Sequence, residues 1–114
     1  MAESVDVQEQ TIGVGTVLAI VFFGYGTFIN ETILGIDATE LAAWVFVGTF
    51  AAVALFHSAY GRRDFAVAHA AAAVGVALVL LATSGPQVLV GMGVLLTGGS
   101  YIVSRTIRAR RDQT

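Results

Sequence analysis

Polar and apolar positions along this chain are segregated rather than alternated. Four apolar stretches, at 11–30, 41–60, 65–83 and 86–104, are separated by short polar gaps. Between Thr11 and Ser104 the charged residues are Glu31, Asp37, Glu40, Arg62, Arg63 and Asp64, and all of them fall in those gaps. A hydrocarbon core about 30 Å thick needs roughly 20 helical residues at about 1.5 Å each, which every stretch can supply. Backbone groups in lipid must bond within their own segment, and these unbroken runs lack the alternation of membrane-barrel strands. The pattern therefore predicts an all-α integral membrane protein with four transmembrane helices, over about 11–30, 38–60, 64–84 and 86–107. It implies one domain, 11–104, built as two antiparallel hairpins in a bundle, with an acidic polar tail at 1–10 and a basic tail at 105–114.

The punctuation agrees with this division. Asp37-Ala-Thr-Glu40 has the spacing of a capping box and starts the second helix near residue 38. Gly61 suits the end of that helix and Asp64 the N-cap of the third, leaving Arg62 and Arg63 in a tight turn. Ser84-Gly85-Pro86 ends the third helix and puts proline in the first turn of the fourth, where its missing N–H costs nothing.

Arginine placement predicts orientation. Arg62 and Arg63 lie between the second and third helices, and Arg105, Arg108, Arg110 and Arg111 follow the fourth, whereas the N-terminal tail and the other two connections contain none. Those two places share one side, which the positive-inside rule makes cytoplasmic, so both termini are expected there. The same arginines can pair with anionic lipid headgroups, at about 1 kcal/mol each near the surface. Without a basic region before it, the first helix does not read as a cleaved signal.

Composition sharpens the exclusions. The 114 residues are 56% hydrophobic and 12% charged, so an ordinary soluble domain is ruled out. Cysteine is absent, which removes disulfides, thiolate metal sites and thiol catalysis. A formal charge of −2 gives nucleic acid no electrostatic reason to bind. The six basic residues are all arginine, and this lysine-free, Ala/Val/Gly-rich usage resembles that of small membrane proteins from salt-loving archaea and other high-GC organisms. The expected location is accordingly the cell membrane of a prokaryote, as a multi-pass protein.

Within the spans the ionisable residues are His57 and His69, and a buried ionisable group is a functional candidate because its desolvation is costly. Each lies five residues from the arginine turn, so both sit at one depth and can face each other. Ser100 and Tyr101 share that depth on the fourth helix, which makes a polar layer geometrically possible. As cofactor ligands the two histidines could hold a transition metal or, less comfortably, a haem, since helices packed 8–10 Å apart leave little room for a macrocycle. The plainer reading is a structural one, each imidazole bonding across a helix interface, with no cofactor. A serine–histidine nucleophile lacks an orienting acid and an oxyanion hole, so no catalytic residue is expected. Small multidrug transporters have a similar size and helix count, but they carry a glutamate in the first helix that is missing here.

Small residues are the more abundant signal. Gly13, Gly15, Ala19 and Gly24 on the first helix, Gly48 and Ala52 on the second, Ala71 and Gly75 on the third, and Gly91, Gly93, Ser100 and Ser104 on the fourth are read as packing positions. Spacings of four, such as Gly15/Ala19, Gly48/Ala52, Ala71/Gly75 and Ser100/Ser104, let backbones approach closely. Helices one and four carry more of them than one partner requires. The leading expectation is a non-enzymatic structural or accessory protein that packs with itself or with a larger membrane complex. Two alternatives are a metal- or haem-carrying electron-transfer subunit using His57 and His69, and a small oligomeric channel or transporter lined by Thr97, Ser100, Tyr101 and Ser104.

Overall fold

The structure is a computed structural model and describes residues 2–113, with side chains from Val7 onward. Its helices are α1 (Ala2–Phe28), α2 (Ala38–Ala59), α3 (Arg63–Leu81) and α4 (Gly85–Asp112). All four are long and apolar enough to cross a membrane. Large apolar side chains cover their outsides: Val17, Ile20, Leu55, Val67 and Leu89 are each 60–71% exposed, an arrangement that apolar surroundings favour over water.

The helix limits differ from the expected ones at both chain ends. The polar stretch before Thr11 continues α1 back to Ala2, and the basic stretch after Ser104 continues α4 to Asp112. Both flanks therefore prolong helices instead of leaving them as tails, because neither contains a proline or glycine to stop propagation. At the other ends, α1 stops at Phe28 and α3 at Leu81, short of the expected residues 30 and 84.

Each connection has a local cause. Between α1 and α2 a two-stranded antiparallel ribbon pairs β1 (Thr32–Ile33) with β2 (Ile36–Asp37). Its two-residue turn places Leu34 at φ 52° and Gly35 at φ 83°, the left-handed pair that a tight hairpin demands. Sequence reading missed this ribbon, since Leu-Gly is a weak substitute for Asn-Gly. Asp37 then caps α2 by accepting from the Thr39 and Glu40 N–H groups at 2.9 and 3.0 Å.

Between α2 and α3 the chain turns through Gly61 at φ 82°. Gly61 N–H donates to the Ser58 carbonyl (3.2 Å) and Arg62 N–H to the His57 carbonyl (2.8 Å), the bond pair of a Schellman motif. Asp64 is not the N-cap of α3, contrary to expectation. Arg62 occupies that place without a side-chain cap, and Asp64 lies in the first turn, its carboxylate engaged elsewhere. Ahead of α4, Ser84 accepts from Gln87 N–H (3.4 Å) while the Gln87 side chain accepts from Thr83 N–H (2.7 Å).

The helices pack serially, α1 on α2, α2 on α3 and α3 on α4. Among the described residues α1 and α4 share no comparable interface, so they form the outer flanks of an open row measuring 46 × 32 × 25 Å. The core is thin and mostly alanine: Ala19, Ala38, Ala42, Ala54, Ala68, Ala72 and Ala73, with Val53 the one larger side chain that is fully enclosed among the described residues.

Candidate functional site

The histidines meet, as their shared depth allowed. Running α2 into α3 through a tight glycine turn puts His57 and His69 side by side, with ring centroids 5.0 Å apart and planes inclined by 29°. Phe65 stacks on the other neighbour, 5.3 Å from His57, and Phe50 lies 6.4 Å from His69. Tyr101 of α4 meets Phe65 edge-on at 6.4 Å. The result is an aromatic cluster that ties three helices together near the arginine turn.

The two imidazoles differ in satisfaction. His69 is 8% exposed, and its Nδ1 lies 2.9 Å from the Phe65 carbonyl one turn earlier. A carbonyl only accepts, so Nδ1 carries the proton and donates, which leaves Nε2 with the lone pair. His57 Nδ1 is buried without a hydrogen-bond partner. Imidazole lone pairs lie in the ring plane, so two stacked rings do not converge on one ion unless a ring turns. Among the described residues no group of three or more His, Cys, Asp or Glu could hold a metal ion. A haem has no slot between rings already in contact.

Ser100 does not join this layer. It lies on an exposed face of α4, while His69 is enclosed between α2 and α3. Tyr101 connects instead to Asp64, donating its hydroxyl to Oδ2 at 3.1 Å. The same carboxylate pairs with Arg62 (3.4 Å) and Arg105 (3.8 Å), whose guanidinium groups also lie over the Phe65 and Tyr101 rings at 4.4 and 5.8 Å. Asp64, read from sequence only as a cap, is thus the polar hub that joins the α2–α3 turn to α4. The stripe considered for a channel offers few free donors: Thr97 bonds the Gly93 carbonyl (2.7 Å) and Ser104 the Tyr101 carbonyl (3.0 Å) of its own helix.

The glycines divide into two sets. Gly75 and Gly91 face each other across the α3–α4 seam, where a Cβ on Gly75 would come 2.5 Å from Leu95 N and 2.8 Å from the Gly91 carbonyl. Gly98, another of the small residues of α4, is as tight, at 2.6 Å from the Ala68 carbonyl. On the α1–α2 seam a Cβ on Gly15 would collide with the Thr49 side chain, and one on Gly26 would meet Ala38 at 2.8 Å. Ala19 is buried on the same face as Gly15. By contrast Gly13, Gly24, Gly48 and Gly93 would meet nothing within 4 Å. Gly48 and Ala52 line an open groove with α1, Gly93 lines one with α3 that also touches Ala71, and Ser104, like Ser100, is exposed.

The remaining arginines, Arg63, Arg108, Arg110 and Arg111, are exposed at the same end of the molecule as Arg62 and Arg105. Compared with protein-family models, with curated proteins and with solved structures, the chain matches none of them.

Proposed function

We propose that this chain is a multi-pass membrane protein with a structural, non-enzymatic role, and that it self-associates through the outward face of α1. The observation that carries this reading is that α1 has two glycine faces and α2 occupies only one. Gly15, Ala19 and Gly26 are spent against α2, whereas Gly13 and Gly24 lie on the opposite side with Val17 and Ile20 between them. Glycine within a helix costs about 0.5–1 kcal/mol relative to alanine, a cost that close backbone approach offsets. Facing lipid alone, Gly13 and Gly24 bring no such return. A second copy presenting the same face forms a closed twofold pair without exposing new surface.

The natural absence of cysteine makes the test direct. Val17→Cys cross-linked in native membranes is expected to give a dimer, and adding Gly13→Leu and Gly24→Leu is expected to abolish it. Monomers alone, with no adduct to any other protein, would overturn the reading.

A second reading rests on the unpartnered, buried Nδ1 of His57 beside His69. With one ring turned, the pair could supply two imidazole ligands to a transition metal; copper there would be the basis of an electron-transfer role, whereas zinc, which has no redox couple, would serve structure alone. Metal analysis and a visible spectrum on gently purified protein decide it. Near-stoichiometric metal lost in both His57→Ala and His69→Ala supports this second role, and colourless, metal-free protein removes it.

A further inference from the structure

Beside the α3–α4 seam runs a furrow made of two adjoining cavities. The first, about 490 Å³, opens at Arg63, Asp64 and Tyr101 and is walled by Val67, Ala71 and Thr97. The second, about 400 Å³, shares Ala71 and Thr97 and continues to Val90, Gly93 and Val94. From Tyr101 to Val90 along α4 the furrow covers about 16 Å at the helical rise. One leaflet of a hydrocarbon core of about 30 Å is about as deep. The lower part stays open because Gly93 has no side chain, and a Cβ there would meet nothing within 4 Å. The Thr97 hydroxyl is donated to the Gly93 carbonyl, so below the mouth the wall offers hydrocarbon and no free donor.

The mouth has the opposite character. Asp64 is its one carboxylate, and its oxygens already take Arg62, Arg105 and the Tyr101 hydroxyl. Arg63 lines the opening, is exposed, and has no ion pair among the described residues. Three guanidinium groups stand there against one carboxylate, so the mouth is positive and Arg63 is its uncommitted cation. A cation at the end of a span above an apolar furrow one leaflet deep has the polarity sequence of a single kind of molecule.

We propose that the furrow is a phospholipid site, in which one acyl chain lies along Val67, Ala71, Thr97 and Gly93 and an anionic headgroup pairs with Arg63. A neighbouring helix would cover the hydrocarbon wall but leave Arg63 unmatched at its end, whereas an anionic lipid satisfies both. This site is separate from the α1 face and does not depend on self-association.

The test uses the full-length chain in mild detergent doped with equal phosphatidylglycerol and phosphatidylcholine, read by native mass spectrometry. Wild-type protein is expected to retain one phosphatidylglycerol in preference. Arg63→Gln, an exposed change in the first turn of α3, is expected to lower that retention about fivefold, the effect of one arginine near an anionic surface. Thr97→Leu fills the furrow while leaving the arginines in place, and is expected to lower retention of both lipids. Melting temperatures within a few degrees of wild type establish that the two variants fold. Equal retention of the two lipids by wild type, or unchanged phosphatidylglycerol retention in folded Arg63→Gln and Thr97→Leu, overturns the proposal. So does a lipid-free dimer that Thr97→Leu dissociates, which would make the furrow a seat for a second copy.

Discussion

At the scale of single residues, adjacent glycines on α4 have opposite roles. A Cβ on Gly98 would press 2.6 Å against the Ala68 carbonyl, an atom of helix backbone that cannot step aside, whereas one on Gly99 would meet nothing within 4 Å. Gly98→Ala is therefore expected to destabilise the chain by about 1–3 kcal/mol through overpacking. Gly99→Ala should stabilise it by about 0.5–1 kcal/mol through helix propensity alone. Melting curves of both variants in the same detergent check the signs; equal shifts would mean that the seam is not held at this distance. The same logic applies to His57, whose buried Nδ1 lacks a partner. Leaving a buried polar atom unsatisfied costs about 1–3 kcal/mol, so His57→Phe, which keeps a ring against Phe65 and His69, is expected to raise the melting temperature. A lower one would show that the nitrogen has a partner in the membrane.

At the scale of elements, caps and connections decide where helices begin. Asp37 begins α2, and its carboxyl is held below the ordinary aspartate value, first by the Thr39 hydroxyl and then by the Glu40 N–H. A carboxyl lowered in the folded state contributes its full stability above its unfolded value of about pH 4. That contribution is lost as pH falls through the lower folded value. Acidification from pH 5 to 2 is therefore expected to lower the melting temperature of wild type more than that of Asp37→Asn, which keeps an N-capping oxygen that does not titrate. Parallel loss in the two proteins would remove Asp37 from the account of acid sensitivity. The α2–α3 connection is the stiffer one, because its Schellman bonds, the Gly61 turn and the Asp64 hub all act within a few residues. That stiffness is what holds His57 against His69.

At the scale of the whole molecule, the serial row leaves each outer helix with one extensive partner among the described residues, and the start of α1 and the end of α4 lie at the arginine end. The orientation expected from arginine placement is tested by single cysteines in a chain that has none. Glu31→Cys, in the ribbon connection, is expected to react with an impermeant maleimide from outside intact cells, and Gln113→Cys only after permeabilisation. The reverse pattern would invert the protein and move the furrow mouth to the outer leaflet. An open row also explains how a small chain with a thin alanine core can persist: in hydrocarbon, lipid covers apolar sides as well as protein does, so stability comes from close backbone seams rather than from enclosure.

Four apolar helices and their order were legible in the sequence because hydrocarbon imposes length and polarity limits on each segment independently, without reference to its neighbours. The Asp37 cap, the Gly61 turn and the Ser84-Gly85-Pro86 break were legible for the same reason, being decided within a few residues. The shared depth of His57 and His69 followed from counting along two helices from one turn. Which glycines are spent and which are free was not legible: Gly91 and Gly93 look alike in sequence, and only the rotation of α4 against α3 turns one into the seam and the other into the furrow. The role of Asp64 depended on Tyr101 and Arg105, 37 and 41 positions away along the chain, arriving beside it. The ribbon was hidden because Leu34 adopts a left-handed backbone that its residue type disfavours. Local rules set the elements of this protein. The pairing of their faces, a property of helix rotation and approach that no single segment encodes, decided its sites.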